Sequence, residues 1–310
     1  HATIGLALAA SAVTACATPT RHSEISGTPS ADGSDVRAEW VQTQLGDLFV
    51  KQAGSGDTTL VLWPSIFTDH RIYQGLTEAL SGKYRLLLID GPGHGRSQGP
   101  DTEFTMAQSA GALASILDHY ALEKAVIGGT SWGGLTAAEL SLSQPNRVQA
   151  LILMNTPMEI DGRRPDMSAT LIALGARYGL RLSLFRNGVA NSFFSREALT
   201  VNPDFAEAFH AMLTHANPRQ LSAAVRSVLL HGTPLKDRMA DISVPTLVIA
   251  GTQDAMYPIE IQRKAAALAQ QGDFAAVKGK HISAVEQPGP VATRIDDFIQ
   301  RATAHHQAVR

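Results

Sequence analysis

The chain has 310 residues, 44% of them hydrophobic and 17% charged, with a formal net charge of -2. Such a composition is that of a globular protein long enough for one large core or for a core carrying an insertion. The net charge of -2 implies no attraction to nucleic acid or to acidic membranes, there is no basic stripe, and the sequence holds neither a phosphate-cradling loop nor a spaced Cys/His pattern, so a metal and a cofactor are not expected either.

The only cysteine is Cys16, which excludes an intramolecular disulfide. Ile4 to Val13 is an apolar run too short to cross a bilayer as a helix. It reads as the apolar stretch of a secretory signal, with residues 1–16 as the signal segment. The ending Val13-Thr14-Ala15-Cys16 resembles the lipobox of bacterial lipoproteins. The resemblance implies cleavage before Cys16, acylation of its thiol, and a protein tethered in the cell envelope on the periplasmic or outer surface. Residues 17–38, rich in Thr, Ser, Pro, Gly and Ala, read as a flexible linker.

A folded domain is expected from about Glu39. Trp40 to Gln44 and Leu48 to Gln52 read as strands around a Gly46-Asp47 turn. Thr59–Trp63, Arg85–Asp90, Ala125–Gly128 and Val148–Met154 are short continuous apolar runs, the pattern of strands buried on both faces. Helical patterns alternate with them at Ile72–Leu80, Met106–Tyr120 and Leu135–Leu140. That alternation predicts an α/β fold with a mostly parallel sheet. From Pro157 to Leu235 it stops, and Ser168–Leu184, Pro203–His215 and Pro218–His231 read as helices. The pattern then resumes with a strand at Pro245–Ala250, a helix at Ile261–Gln270, a strand at Phe274–Val277 and a helix at Val291–Thr303. The expected division is therefore a core of residues 39–156 and 236–310 with a helical cap inserted at 157–235.

Gly129-Thr130-Ser131-Trp132-Gly133 stands between a buried strand and a helix. Gly-x-Ser-x-Gly in that setting is the nucleophile elbow, a turn so tight that its neighbours carry almost no side chain. The motif alone is short enough to be a glycine-rich turn with a solvated serine. A serine nucleophile needs a base, and the base an orienting acid. Asp254 and His281 each follow a predicted strand, giving the chain order serine, acid, histidine. Taken singly, Asp254 reads equally as a cap on the helix near Pro258, and His281 as a surface histidine. Together the three form a candidate triad: Ser131 as nucleophile, His281 as base and then acid, Asp254 as orienter.

The chain resembles the capped esterase and lactonase branch of the α/β-hydrolase fold superfamily from Glu39 onward. The resemblance rests on Asp90-Gly91-Pro92-Gly93-His94-Gly95-Arg96-Ser97, on Gln144-Pro145-Asn146-Arg147-Val148, and on His281 with Glu286-Gln287-Pro288. It implies that His94 is structural, held within its loop. It implies an oxyanion hole of two backbone N–H groups, Trp132 and Ile66, with Ser65 as the alternate to Ile66. Aligned on Tyr73 as the downstream aromatic, Pro64-Ser65 stands where the family has His-Gly. Trp63, Phe67, Trp132, Tyr257, Phe193 and Phe194 are candidates for the mouth of an apolar pocket, with core packing an equal account of any one of them. The expected activity is cleavage of a carboxylic ester or lactone, with no metal or cofactor. Amide, peptide or carbon–carbon bond hydrolysis on the same triad, and a non-catalytic ligand-binding role, are the alternatives.

Overall fold

The computed structural model describes residues 25–26, 37–160, 167–232 and 234–308. The apolar run Ile4–Val13 and Cys16 lie outside the described residues.

A single mixed sheet organises the chain, in the order β1-β2-β3-β5-β4-β6-β7-β8-β9. Its first strands are β1 (Ile25–Ser26), β2 (Arg37–Thr43) and β3 (Gly46–Ala53), joined antiparallel to one another and, through β3, to β5 (Arg85–Ile89). The β1 pairing to Arg37 and Ala38 falls inside the segment read from sequence as a linker. From β5 onward all pairings are parallel, through β4 (Thr59–Trp63), β6 (Ala125–Thr130), β7 (Val148–Met154), β8 (Thr246–Gly251) and β9 (Gly272–Val277). Every residue of β4, β6 and β8 is buried, as their unbroken apolar runs require.

Helices connect the parallel strands. α1 (Gln74–Leu80) packs on α11 (Pro288–Ala308), and α2 (Met106–His119) packs on α3 (Trp132–Ser143). Thr105 and Gln108 close a reciprocal capping box that fixes the start of α2. β4 has β5 on one side and β6 on the other, so the strand order reverses there. Such a reversal opens a crevice at the carboxyl ends of the strands. The loop after Trp63 and the turn at Ser131 both lie at that edge.

Between β7 and β8 come five described α-helices and no described strand: α4 (Met167–Tyr178), α5 (Ser183–Phe193), α6 (Arg196–Val201), α7 (Pro203–His215) and α8 (Pro218–Leu229). The sequence predicts one helix over Ser168–Leu184. The structure breaks it at Gly179–Leu182, where the Gly179 N–H bonds the Gly175 carbonyl and the Leu182 N–H bonds the Gly179 carbonyl. The glycine ends α4, and Leu182 takes an extended conformation before α5. α6 and the four-residue α10 (Ser283–Glu286) have no forecast in the sequence, because neither is long enough to show a period.

Candidate active site

Ser131 sits between β6 and α3 with φ 57° and ψ -114°, a backbone conformation that a non-glycine residue rarely adopts. Its neighbours permit it. A β-carbon on Gly133 or Gly129 would run into the Trp63 carbonyl, and one on Gly134 into Thr156 Oγ1. The Ser131 N–H is tied to the Met154 carbonyl at 2.8 Å. Tyr73 braces the same corner: its hydroxyl donates to the Trp63 carbonyl at 2.7 Å and accepts from the Thr130 N–H at 3.0 Å. Burial raises its pKa well above that of a free phenol, so it remains a donor. The ends of β4 and β6 are thereby locked beside the serine.

Asp254 follows β8 and His281 follows β9. His281 is 1% exposed, and its Nδ1 lies 2.9 Å from Asp254 Oδ2. The same carboxyl accepts from the Asn155 amide at 3.2 Å and, through Oδ1, from the Met256 and Tyr257 N–H groups at 3.0 and 3.3 Å. Burial by itself would raise the Asp254 pKa. The bonds from His281, Asn155 and the backbone outweigh it and hold the group below its ordinary value, so it stays ionised. With Nδ1–H donating to that carboxylate, Nε2 is the free basic nitrogen. The rings of Phe193 and Tyr257 flank the imidazole, each with its centroid 5.2 Å away.

Ser131 and His281 line one cavity of about 340 Å³, without a hydrogen bond between them. Ile66, Phe67, Ile172, Phe185, Val189 and Phe193 form much of its wall. Among the described residues that line it there is no lysine, arginine, aspartate or glutamate. Ile66 faces this cavity, whereas Ser65, the alternate oxyanion candidate, is fully buried and its hydroxyl has no partner. Trp132 occupies the first position of α3, where a helix leaves its N–H groups unpaired by the helix itself.

Several apolar candidates belong elsewhere. The Trp63 and Trp132 indoles pack edge-on at 5.5 Å in the core beneath the site, not at its mouth. Phe194 packs against Phe205 and Phe209 among the helices between β7 and β8. Phe67, Phe193 and Tyr257 do line the cavity.

His94 is buried and does not line that cavity. Its Nδ1 bonds the Pro92 carbonyl at 3.0 Å within its own loop, as the resemblance implies. Its Nε2 also reaches out and accepts the Phe67 N–H at 2.9 Å. Burial drops its pKa to about 4, which keeps Nε2 unprotonated and able to accept. Phe67 has φ 60°, so His94 pins a strained turn one residue from Ile66.

Asn155 escapes the sequence reading. It follows β7 with φ 46°, accepts from the Ser283 hydroxyl at 2.6 Å, and donates to Asp254 and to the Lys280 carbonyl. The rule that singles out Asp254, a polar residue just past a buried strand at the carboxyl edge, applies equally to Asn155.

Asp69, His70 and Asp90 also gather, with one potential ligand atom each within 4.8 Å of the others. Each of their carboxylate oxygens already has a donor. Arg71 holds Asp69, and Asp90 accepts from the His70 N–H and ring and from the Arg96 N–H. The group clamps the 65–73 and 90–97 loops together.

Residues 58–288 match the model of the alpha/beta hydrolase fold family. The 3-oxoadipate enol-lactonase 1 of Acinetobacter baylyi is 30% identical over 249 residues, covering 78% of this chain and 88% of that protein. A pimeloyl-acyl-carrier-protein methyl ester esterase of Yersinia enterocolitica is 29% identical, covering 78% of this chain and 89% of that protein. The crystal structure of an enol-lactonase from Burkholderia xenovorans superposes with a TM-score of 0.78 at 23% identity, covering 84% of this chain and all of that one. The chain belongs to the α/β-hydrolase fold family, and it is an enzyme of that family.

Proposed function

We propose that the chain hydrolyses carboxylic esters or lactones through an acyl-enzyme formed on Ser131. One observation carries this: Ser131, on its strained turn, shares a cavity with His281, and Asp254 holds His281 by Nδ1. In the proposed cycle Nε2 of His281 takes the Ser131 proton as Oγ attacks the substrate carbonyl. The Trp132 and Ile66 N–H groups hold the oxyanion. The carbon–oxygen bond to the leaving group breaks as Nε2 returns the proton to the departing alkoxide. A water then repeats the sequence and frees the acid and Ser131.

An uncharged, apolar cavity favours a neutral acyl group over an anionic one, because a buried carboxylate there would lack a partner. The relatives named as an enol-lactonase and a methyl ester esterase support the reaction class. Residues 157–235 serve as a cap that shapes the acyl site, and Cys16, once acylated, holds the enzyme on an envelope membrane. The first reading is supported by the α5 residues in the cavity wall, the second by the sequence around Cys16.

A fluorophosphonate probe tests the nucleophile. Peptide mapping should find the label on Ser131 and none in Ser131→Ala. Labelling without turnover of any ester, lactone or amide would favour a ligand-binding role instead.

A further inference from the structure

We propose that the outer face of α4 and the turn into α5 form a docking surface for an anionic lipid bilayer, with the mouth of the catalytic cavity at its edge. The proposal rests on the ester or lactone hydrolase reading only for what enters the cavity. The docking itself stands on the surface.

Met167, Leu171, Leu174 and Tyr178 are spaced by four, three and four residues. At 100° per residue they fall within a stripe of about 60° on one side of α4. The inward side is built from small residues, Ala173 and Ala176, which are buried. The helix is thus apolar on both sides, with its larger apolar side chains turned outward. Leu182 in the turn and Leu184 in the first turn of α5 are exposed as well. These six side chains are between 48% and 84% exposed, and they are six of the nine large exposed hydrophobics among the described residues. Scattered exposed apolar residues are ordinary, but four on one helix face with two more in the turn that follows mark an interaction surface.

Charge selects the occupant. Between Asp166 and Glu197, residues 167–196 contain four arginines, Arg177, Arg181, Arg186 and Arg196, and no aspartate or glutamate, in a chain whose overall net charge is -2. Arg177 lies over the Tyr178 ring at 5.2 Å, which sets a cation beside the apolar stripe. Large apolar side chains flanked by arginines are the composition of a helix lying in an anionic lipid interface. A second copy of the same face would bring the two sets of arginines together, which disfavours self-association.

Continuity with the site points the same way. Leu184 is both the most exposed of the six and part of the wall of the cavity that holds Ser131. An apolar acyl chain leaving the lipid would meet Leu184, then Phe185 and Ile172 of the same wall, without crossing a charged side chain. The sequence of Ile4–Val13 and Cys16, read as a lipid-anchoring segment, suits a protein that works against such a surface.

The test uses the full chain with Cys16→Ser, so that acylation does not hold it on lipid. Vesicles of phosphatidylglycerol and phosphatidylethanolamine are compared with phosphatidylcholine alone, by co-sedimentation. The expected result is at least ten-fold stronger partition onto the anionic vesicles, lost to a similar extent in Leu171→Glu/Leu174→Glu. Hydrolysis of a short soluble ester should be unchanged by that pair, which shows that the variant is folded. The indole introduced by Tyr178→Trp should be quenched by brominated lipid, which reports on this face whatever residues 1–36 do. Equal partition of wild type and the glutamate pair, or an indole in the Tyr178→Trp variant that brominated lipid leaves unquenched, overturns the proposal. So does a glutamate pair that converts a dimer to a monomer with no effect on lipid, since the stripe is then an interface between copies. Loss of ester turnover in every form of the chain would remove the hydrolase reading and leave the sedimentation result intact.

Discussion

The Asn155 amide donates at 3.2 Å to Asp254 Oδ2, the oxygen that also holds the His281 ring at 2.9 Å. One carboxylate oxygen thus takes two buried donors, and Asn155 is itself fixed by the Ser283 hydroxyl at 2.6 Å. Asn155 is a positioning residue in the proposed mechanism. Its removal leaves the carboxylate short of a donor, an effect on the order of 1.5 kcal/mol for a bond to a charged group. Asn155→Ala should therefore lower kcat about ten-fold with little change in KM. Asn155→Asp sets a second carboxylate beside Asp254 and stabilises the imidazolium. The acid limb of the kcat/KM profile should then move to higher pH by about one unit. A profile that stays where the wild type has it would deny Asn155 this role.

His94 predicts an acid-sensitive fold. Its pKa in the folded state, about 4, is below the value of about 6.5 for a free imidazole. The unfolded chain therefore binds the proton first as pH falls. Stability is complete above pH 6.5, declines as pH drops from there toward 4, and has lost roughly 2 kcal/mol to this one group at pH 5. Urea unfolding at pH 7 and pH 5 measures it. His94→Gln removes the titration and should flatten that part of the pH dependence. A slope unaltered by the substitution would assign the acid sensitivity to other groups.

Tyr73→Phe deletes one hydroxyl and leaves both the Trp63 carbonyl and the Thr130 N–H without their partner, each buried at a strand end. A loss of about 2 to 4 kcal/mol of stability is expected. Because Thr130 precedes Ser131, kcat should fall as well. Denaturant titration and kinetics on the same preparation decide it, and a change below about 0.5 kcal/mol, less than one net hydrogen bond contributes, would mean that the corner is held by its glycine packing alone.

Val189 lies on α5 and lines the cavity. Val189→Phe fills part of its 340 Å³. Among p-nitrophenyl esters, kcat/KM for octanoate should drop roughly ten-fold relative to acetate, the size of effect a few misplaced methylenes produce. A uniform loss across chain lengths would instead place the acyl group elsewhere.

Much of this structure is legible in the sequence because its central strands are buried on both faces. Thr59–Trp63 and Val148–Met154 have the same bounds in both readings, since an unbroken apolar run between turn residues has one reasonable interpretation. Chain order and a place just after a strand single out Ser131, Asp254 and His281, and the fold does bring Asp254 and His281 into contact and His281 and Ser131 to one cavity. What stays hidden depends on contacts between distant segments. Nothing local marks His94 as the acceptor for Phe67, 27 residues away, or Asn155 as a partner of Asp254, 99 residues away. The break between α4 and α5 is hidden because Leu171, Leu174, Tyr178 and Leu182 keep a helical spacing across Gly179. The sequence leaves the indoles of Trp63 and Trp132 open between pocket and core, because an aromatic beside the Ser131 turn reads the same either way, and the structure puts both in the core.

The central claim is that Ser131 is the nucleophile of an ester or lactone hydrolase. The most direct measurement is turnover of p-nitrophenyl esters of graded length and of a set of lactones, by the wild type and by Ser131→Ala at matched folding. The account predicts wild-type turnover of neutral esters or lactones and a loss on the order of 10³-fold or more in kcat for Ser131→Ala, as expected when a nucleophile is removed. Wild-type activity retained in Ser131→Ala would contradict it.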